Sequence, residues 1–66
     1  MTIILNGART DVVAGATVGA LATALALPER GVAIAVDGEV VPRSAWASTL
    51  LTLDAQVELV TAMQGG

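Results

Sequence analysis

Cysteine, histidine, lysine, tyrosine and phenylalanine are all absent from this 66-residue sequence. Without cysteine there is neither a disulfide nor a thiolate metal site to supplement the core. The joint loss of Cys, His, Lys and Tyr removes most side chains that act as nucleophiles or general bases near neutral pH. Asp11, Glu29, Asp37, Glu39, Asp54 and Glu58 are the carboxylates, and they are spread along the chain with no paired or metal-ligand spacing. Composition therefore argues against a stand-alone enzyme, and no side chain is assigned as catalytic or metal-binding. Lysine's absence also excludes ε-amino conjugation onto this chain.

Positive charge is scarce as well. Arg9, Arg30 and Arg43 form no cluster, the net charge is −3 and the pI is near 4.3. Nucleic-acid binding draws on a basic stripe, which this sequence lacks. An acidic small domain suits protein partners with basic surfaces instead. A membrane-length apolar run is also missing. Residues Val12 to Pro28 carry no charge, but a spanning helix needs about 20 apolar residues, and this shorter run is broken by Gly15, Gly19 and Pro28. A secretion signal would open on a positive segment, whereas Asp11 adjoins the run and a hairpin pattern precedes it. The expected location is the cytoplasm, with no membrane attachment.

What is present is aliphatic. Hydrophobic residues make up 55% of the chain, mostly Ala, Val, Leu and Ile, with a single Trp. A chain of this length buries only about 60% of its unfolded surface, so it is one domain near the lower limit of self-sufficiency.

The pattern along the chain gives its order. Thr2 to Leu5 is β-branched and apolar, and Asn6-Gly7 favours a type I′ hairpin into a returning strand over residues 9–13. Thr17 is placed to cap a helix running to about Leu27, where Val18, Leu21, Ala22 and Leu25 form one apolar stripe. Gly19 weakens that helix by about 1 kcal/mol relative to Ala, and Pro28 stops it. Residues 32–36 alternate large and small, with Val32, Ile34 and Val36 directed at a core. Asp37-Gly38 signals a second tight turn into Glu39-Val40-Val41, which Pro42 ends. Ser44 is placed to cap a single helical turn that carries Trp46 back onto the core. After an apolar connection and a turn at Asp54-Ala55, the last strand runs from Gln56 to Thr61 or Ala62.

The order β-β-α-β-β-β on one short chain points to an α+β fold of β-grasp, ubiquitin-like type. In it a mixed sheet of about five strands grips one helix, and the first and last strands lie central and parallel. Residues 1–62 form the domain and 63–66 an extended C-terminal tail, Met63-Gln64-Gly65-Gly66. Two glycines are the narrowest way to present a main-chain carboxylate, because neither carries a Cβ. The five residues from Ala62 to Gly66 can reach roughly 17 Å when extended.

In length, element order and local signals the chain resembles the bacterial sulfur carrier proteins of thiamine biosynthesis, the ThiS family. The residues that carry the resemblance are Ile3-Ile4-Leu5-Asn6-Gly7, Val41-Pro42-Arg43 followed by Trp46-Ala47, and the final Gly65-Gly66. The resemblance implies a carrier whose chemistry sits on the Gly66 carboxylate. A ThiF-type adenylating enzyme would join that carboxylate to AMP from ATP. A sulfur donor, such as a cysteine desulfurase carrying a persulfide, would convert it to a thiocarboxylate, and thiazole synthase would accept the sulfur. No cofactor is then expected on the chain itself. Gly65, Gln64 and Met63 would be read by the partner's channel, and Leu59 and Val60 are candidates for a docking patch on the last strand. A carrier for molybdopterin synthesis (MoaD-like), one serving another sulfur-containing metabolite, and a β-grasp interaction module whose tail is never activated remain the alternatives.

Overall fold

The computed structural model describes residues 1–28 and 30–61. Among these the chain forms β1 (Thr2–Leu5), β2 (Ala8–Asp11), the helix α1 (Val18–Ala24), β3 (Val32–Val36), β4 (Glu39–Val41), a 3-10 turn (Arg43–Ala45) and β5 (Gln56–Thr61). The strands make one mixed sheet in the order β2-β1-β5-β3-β4. β1 and β5 run parallel side by side, while the β1–β2, β3–β4 and β3–β5 pairs are antiparallel. This is the β-grasp arrangement expected from the element order.

Both hairpins arise from their turn residues. Asn6 and Gly7 have φ of 49° and 82°, and Asp37 and Gly38 have 50° and 87°. Positive φ at both central positions is what a type I′ turn requires, and its twist matches that of the flanking strands. The registers Leu5↔Ala8 and Val36↔Glu39 are the direct result.

Three boundaries differ from the sequence expectation. β2 ends at Asp11 rather than at residue 13. The open end of this hairpin is closed by Val12 N donating to Met1 O at 2.7 Å and the Met1 ammonium donating to Val12 O at 3.0 Å. The helix ends at Ala24, short of Leu27. Ala26 takes a left-handed φ of 54°, Leu27 N reaches back to Ala22 O and Ala26 N to Thr23 O, a Schellman closure built on alanine instead of glycine. Leu25, the last member of the expected apolar stripe, is consequently 39% exposed, whereas Val18, Leu21 and Ala22 are buried. Finally, the short turn after β4 is capped by Pro42 without any side-chain bond, so Ser44 does not serve as its cap.

The core lies between α1 and one face of the sheet. Ile3, Ile34 and Val57 reach it from β1, β3 and β5, Val18, Leu21 and Ala22 from the helix, and Trp46, Leu51 and Ala55 from the connection before β5. Burying a side chain such as Ile3 or Ile34 contributes about 1.5–3 kcal/mol. A chain of this length has a total stability of about 3–10 kcal/mol. Each of these contacts is therefore a large share of the whole.

The connection from β4 to β5 is anchored rather than loose. Trp46 donates its indole Nε1 to Val41 O at 2.9 Å, and the Arg43 guanidinium lies 4.3 Å over the indole ring. The same segment completes the start of the helix. Val18 N donates to Thr49 O, Gly19 N to Trp46 O, and Ala20 N to the Thr17 hydroxyl. All three first-turn amides thus find acceptors, as a helix start within a packed body demands. A Cβ on Gly19 would sit 3.3 Å from Trp46 O, which gives that glycine a reason the helix pattern alone does not supply.

Candidate functional site

The candidate site is centred on β5, the strand that leads toward the C-terminus. The strand alternates, with Val57 buried and Leu59 packed against the core, while Gln56, Glu58, Val60 and Thr61 are exposed. Of the two docking candidates, Val60 is 62% exposed and Leu59 points inward to the helix side. A period of two leaves no other outcome once Val57 is in the core.

Register extends Val60 into a surface. Ala33 pairs with Val60, Ala35 with Glu58, and Val40 with Ala35, so these five side chains share the face turned away from the helix. Val40 is 71% exposed. Ile4 joins them beside Gln56, and Arg9 pairs with Ile4. The result is an apolar strip of valine and alanine over β5, β3 and β4, with Glu58 at its centre and Arg9 on the β2 side. Thr2 and Asp11 bond to each other at the rim of the same face, Oγ1 donating to Oδ1 at 3.1 Å.

Two turn residues hold β5 at its ends, Asp37 with one side-chain and one main-chain bond and Asn6 with its side chain alone, and neither role is legible in the turn signals that singled them out. At the start, Gln56 N donates to Asp37 Oδ1 at 2.9 Å while Asp37 N donates to Gln56 O at 2.8 Å. Near the far end, Leu59 N donates to Asn6 Oδ1 at 2.8 Å, and Asn6 Nδ2 donates to Leu59 O at 3.3 Å. Asn6 thereby imitates one more residue of β1, extending the parallel pairing beyond Leu5. The signal that could have found it is chemical: of the residues suited to the first position of this turn, only asparagine offers a donor and an acceptor together.

Met63, Gln64, Gly65 and Gly66, together with the expected domain end at residue 62, lie outside the described residues. Among the described residues, no group of three or more His, Cys, Asp or Glu side chains could hold a metal ion. No helix there is long and apolar enough to cross a membrane.

The family profile that describes ThiS proteins matches residues 3–66, nearly the whole sequence and including the diglycine. The chain belongs to the ThiS family. Among solved structures it is similar to the crystal structure of a thiamine biosynthesis protein (ThiS) from Geobacter metallireducens. The two share 29% sequence identity with a TM-score of 0.84, and the alignment covers 100% of each chain. A comparison with curated proteins finds no match. The family segment from Val41 to Trp46 now has a physical account. It is the corner in which Pro42 opens the 3-10 turn, Val41 O receives the indole, and Arg43 covers its ring.

Proposed function

We propose that this chain is a sulfur carrier of thiamine biosynthesis, a co-substrate for partner enzymes and not itself an enzyme. The observation that carries the reading is the family match running through Gly65-Gly66 on a chain whose own side chains offer almost no nucleophile or base.

The chemistry belongs to the Gly66 carboxylate. An α-carboxyl is ionised at neutral pH and can attack the α-phosphate of ATP, releasing pyrophosphate and leaving an acyl-adenylate. A carboxylate itself resists sulfur nucleophiles because its oxygen is a poor leaving group, and AMP is a good one. A persulfide sulfur from a donor such as a cysteine desulfurase displaces AMP, and reductive cleavage of the acyl disulfide by a thiol leaves the thiocarboxylate. Thiazole synthase then takes that sulfur. ATP is bound and consumed by a ThiF-type adenylating enzyme, and the carrier holds no cofactor of its own. Its contribution is positioning, since delivery of the reactant in a fixed geometry removes much of the entropic barrier. All of these partners work in the cytoplasm.

Val60, Ala33 and Val40 form the surface we assign to docking, and Met63, further along the sequence, is assigned to partner contact as well. Their exposure supports this assignment, because apolar side chains gathered on an open sheet face suit a partner interface. Leu59, which faces the core, supports the strand and is not assigned to contact. Gly65 and Gly66 admit the backbone to a narrow channel, with Gln64 read alongside them. Gly65→Ala and Gly66→Ala are expected to fold normally and to lose most adenylation.

The deciding experiment is the intact mass of the chain after incubation with ATP, a ThiF-type enzyme and a sulfur source. A gain equal to replacing one oxygen by one sulfur at Gly66 is expected. An unchanged mass with every such enzyme would instead support an interaction module whose tail is never activated.

A further inference from the structure

We propose that Asn6 is a positioning residue for the transfer reaction: its side-chain amide fixes the end of β5 from which the reactive tail continues. The inference rests on the sulfur-carrier reading for its functional half and on geometry for its structural half.

Asn6 sits in a turn, where glycine or aspartate would serve the positive φ equally well. Its amide nevertheless makes a two-point contact with Leu59, at 2.8 Å to the amide nitrogen and 3.3 Å from the carbonyl oxygen, across 53 residues of sequence. On this side of β5 the neighbouring strand has already turned away, because β1 ends at Leu5 and its last register partner is Val57. Both main-chain groups of Leu59 point to this side, so without Asn6 they have no partner here and Leu59 keeps only its side-by-side register with Ile34 on β3. Leu59 is also the point where β5 changes duty. Val57 before it is core, Val60 after it is exposed, and Gly66 lies seven positions further along the sequence. A strand held on both sides at Leu59 presents the next residues in one direction relative to the docking face around Val60. A strand held on one side can twist about its axis, and misalignment of a reacting group by about 1 Å can cost up to about a hundredfold in rate.

Asp37 provides an internal control. In the same turn geometry at the opposite end of the same strand, its carboxylate accepts from Gln56 N while its main-chain N–H donates to Gln56 O. Loss of either bond weakens β5, but only the Asn6 clasp lies at the end of β5 that is nearer Gly66 in sequence.

The test compares the full-length chain with Asn6→Gly, Asn6→Asp and Asp37→Gly. Glycine keeps the turn at both sites, deleting the whole Asn6 clasp and the carboxylate bond of Asp37, while aspartate at position 6 keeps the acceptor for Leu59 N–H. In Asn6→Gly, amide hydrogen exchange at Leu59 is expected to accelerate by about tenfold while Ile34 and Val57 stay protected, the mark of local opening. With a ThiF-type enzyme and ATP, kcat for adenylate formation is expected to fall about five- to tenfold with KM nearly unchanged, because docking survives and alignment does not. Asn6→Asp should return kcat to within about twofold of the parent, and Asp37→Gly should loosen Gln56 without lowering kcat. A parental kcat in Asn6→Gly overturns the proposal, as does an equal loss in Asp37→Gly, which would reduce Asn6 to ordinary stability. Failure of the parent chain itself to accept AMP from any ThiF-type enzyme would sink the carrier reading instead. The exchange arm then decides the clasp alone, and unchanged Leu59 protection in Asn6→Gly overturns it.

Discussion

The two faces of the sheet are built from the same strands and the same kinds of residue, yet they differ in what covers them. On one, Ile3, Ile34 and Val57 lie under the helix and are at most 1% exposed. On the other, Val40 and Val60 are more than 60% exposed, set among Ala33, Ala35, Ile4 and Glu58. Neighbouring residues of β5 are thus divided between holding the fold and facing outward. In so small a domain there is too little chain for a separate docking element, so the docking surface proposed around Val60 shares its strands with the core. Substitutions on one face should move stability, and substitutions on the other should move partner chemistry.

Four outcomes break or sharpen that contrast. Deleting Gly66 should abolish adenylation and sulfur loading in the mass assay while leaving the thermal midpoint unchanged, the extreme case of function without stability. Ile34→Ala, on the covered face, should cost about 3 kcal/mol in a urea titration. That is enough to leave a chain of this size partly unfolded, and any residual folded fraction should still be adenylated. Val60→Thr keeps a β-branched side chain but removes apolar contact. It should weaken binding to the adenylating enzyme by about fivefold, near 1 kcal/mol, in a calorimetric titration. Its urea-derived stability should stay within about 0.5 kcal/mol of the parent. A stability loss as large as that of Ile34→Ala would erase the distinction between the faces. The smallest effect belongs to the helix end above the covered face. Ala26→Gly should stabilise the fold by about 0.5–1 kcal/mol, because glycine adopts the left-handed conformation at φ 54° without a Cβ penalty.

The sequence is most readable where structure is local or periodic. Asn6-Gly7 and Asp37-Gly38 specify their turns within a few bonds, and the alternation in residues 32–36 correctly sends Ile34 inward. The parallel β1–β5 pair is legible from element order, because a helix between the hairpins leaves the last strand few places to go. The helix end is not legible, because Ala26 adopts a backbone against its own preference. Leu27 packs against the core there, and tertiary contact outweighs a local cost of about 1 kcal/mol. Ser44 resembles a cap but does not act as one, because the proline two residues earlier already sets the entry angle. Of the candidate site, exposure at Val60 and packing of Leu59 against the core depend on which parity of β5 meets the helix. The Asn6 clasp is hard to read for another reason: turn propensity accounts for that residue, and only its paired donor and acceptor hint at a second role.

Placing β5 in the middle of the sheet has a consequence for how the protein is made. The β1–β2 and β3–β4 hairpins are synthesised first, and an isolated two-stranded hairpin is marginal in water. Neither can join the other until β5, the last of the five strands in the chain, is there to lie between them. Loop closure over nearly the whole chain then makes assembly of the sheet a single late event. A product terminated before β5 therefore lacks both the diglycine and the strand that completes the sheet. Chains truncated before β5 are thus left unfolded and open to proteases, so the order of synthesis ties completion of the sheet to near-completion of the chain.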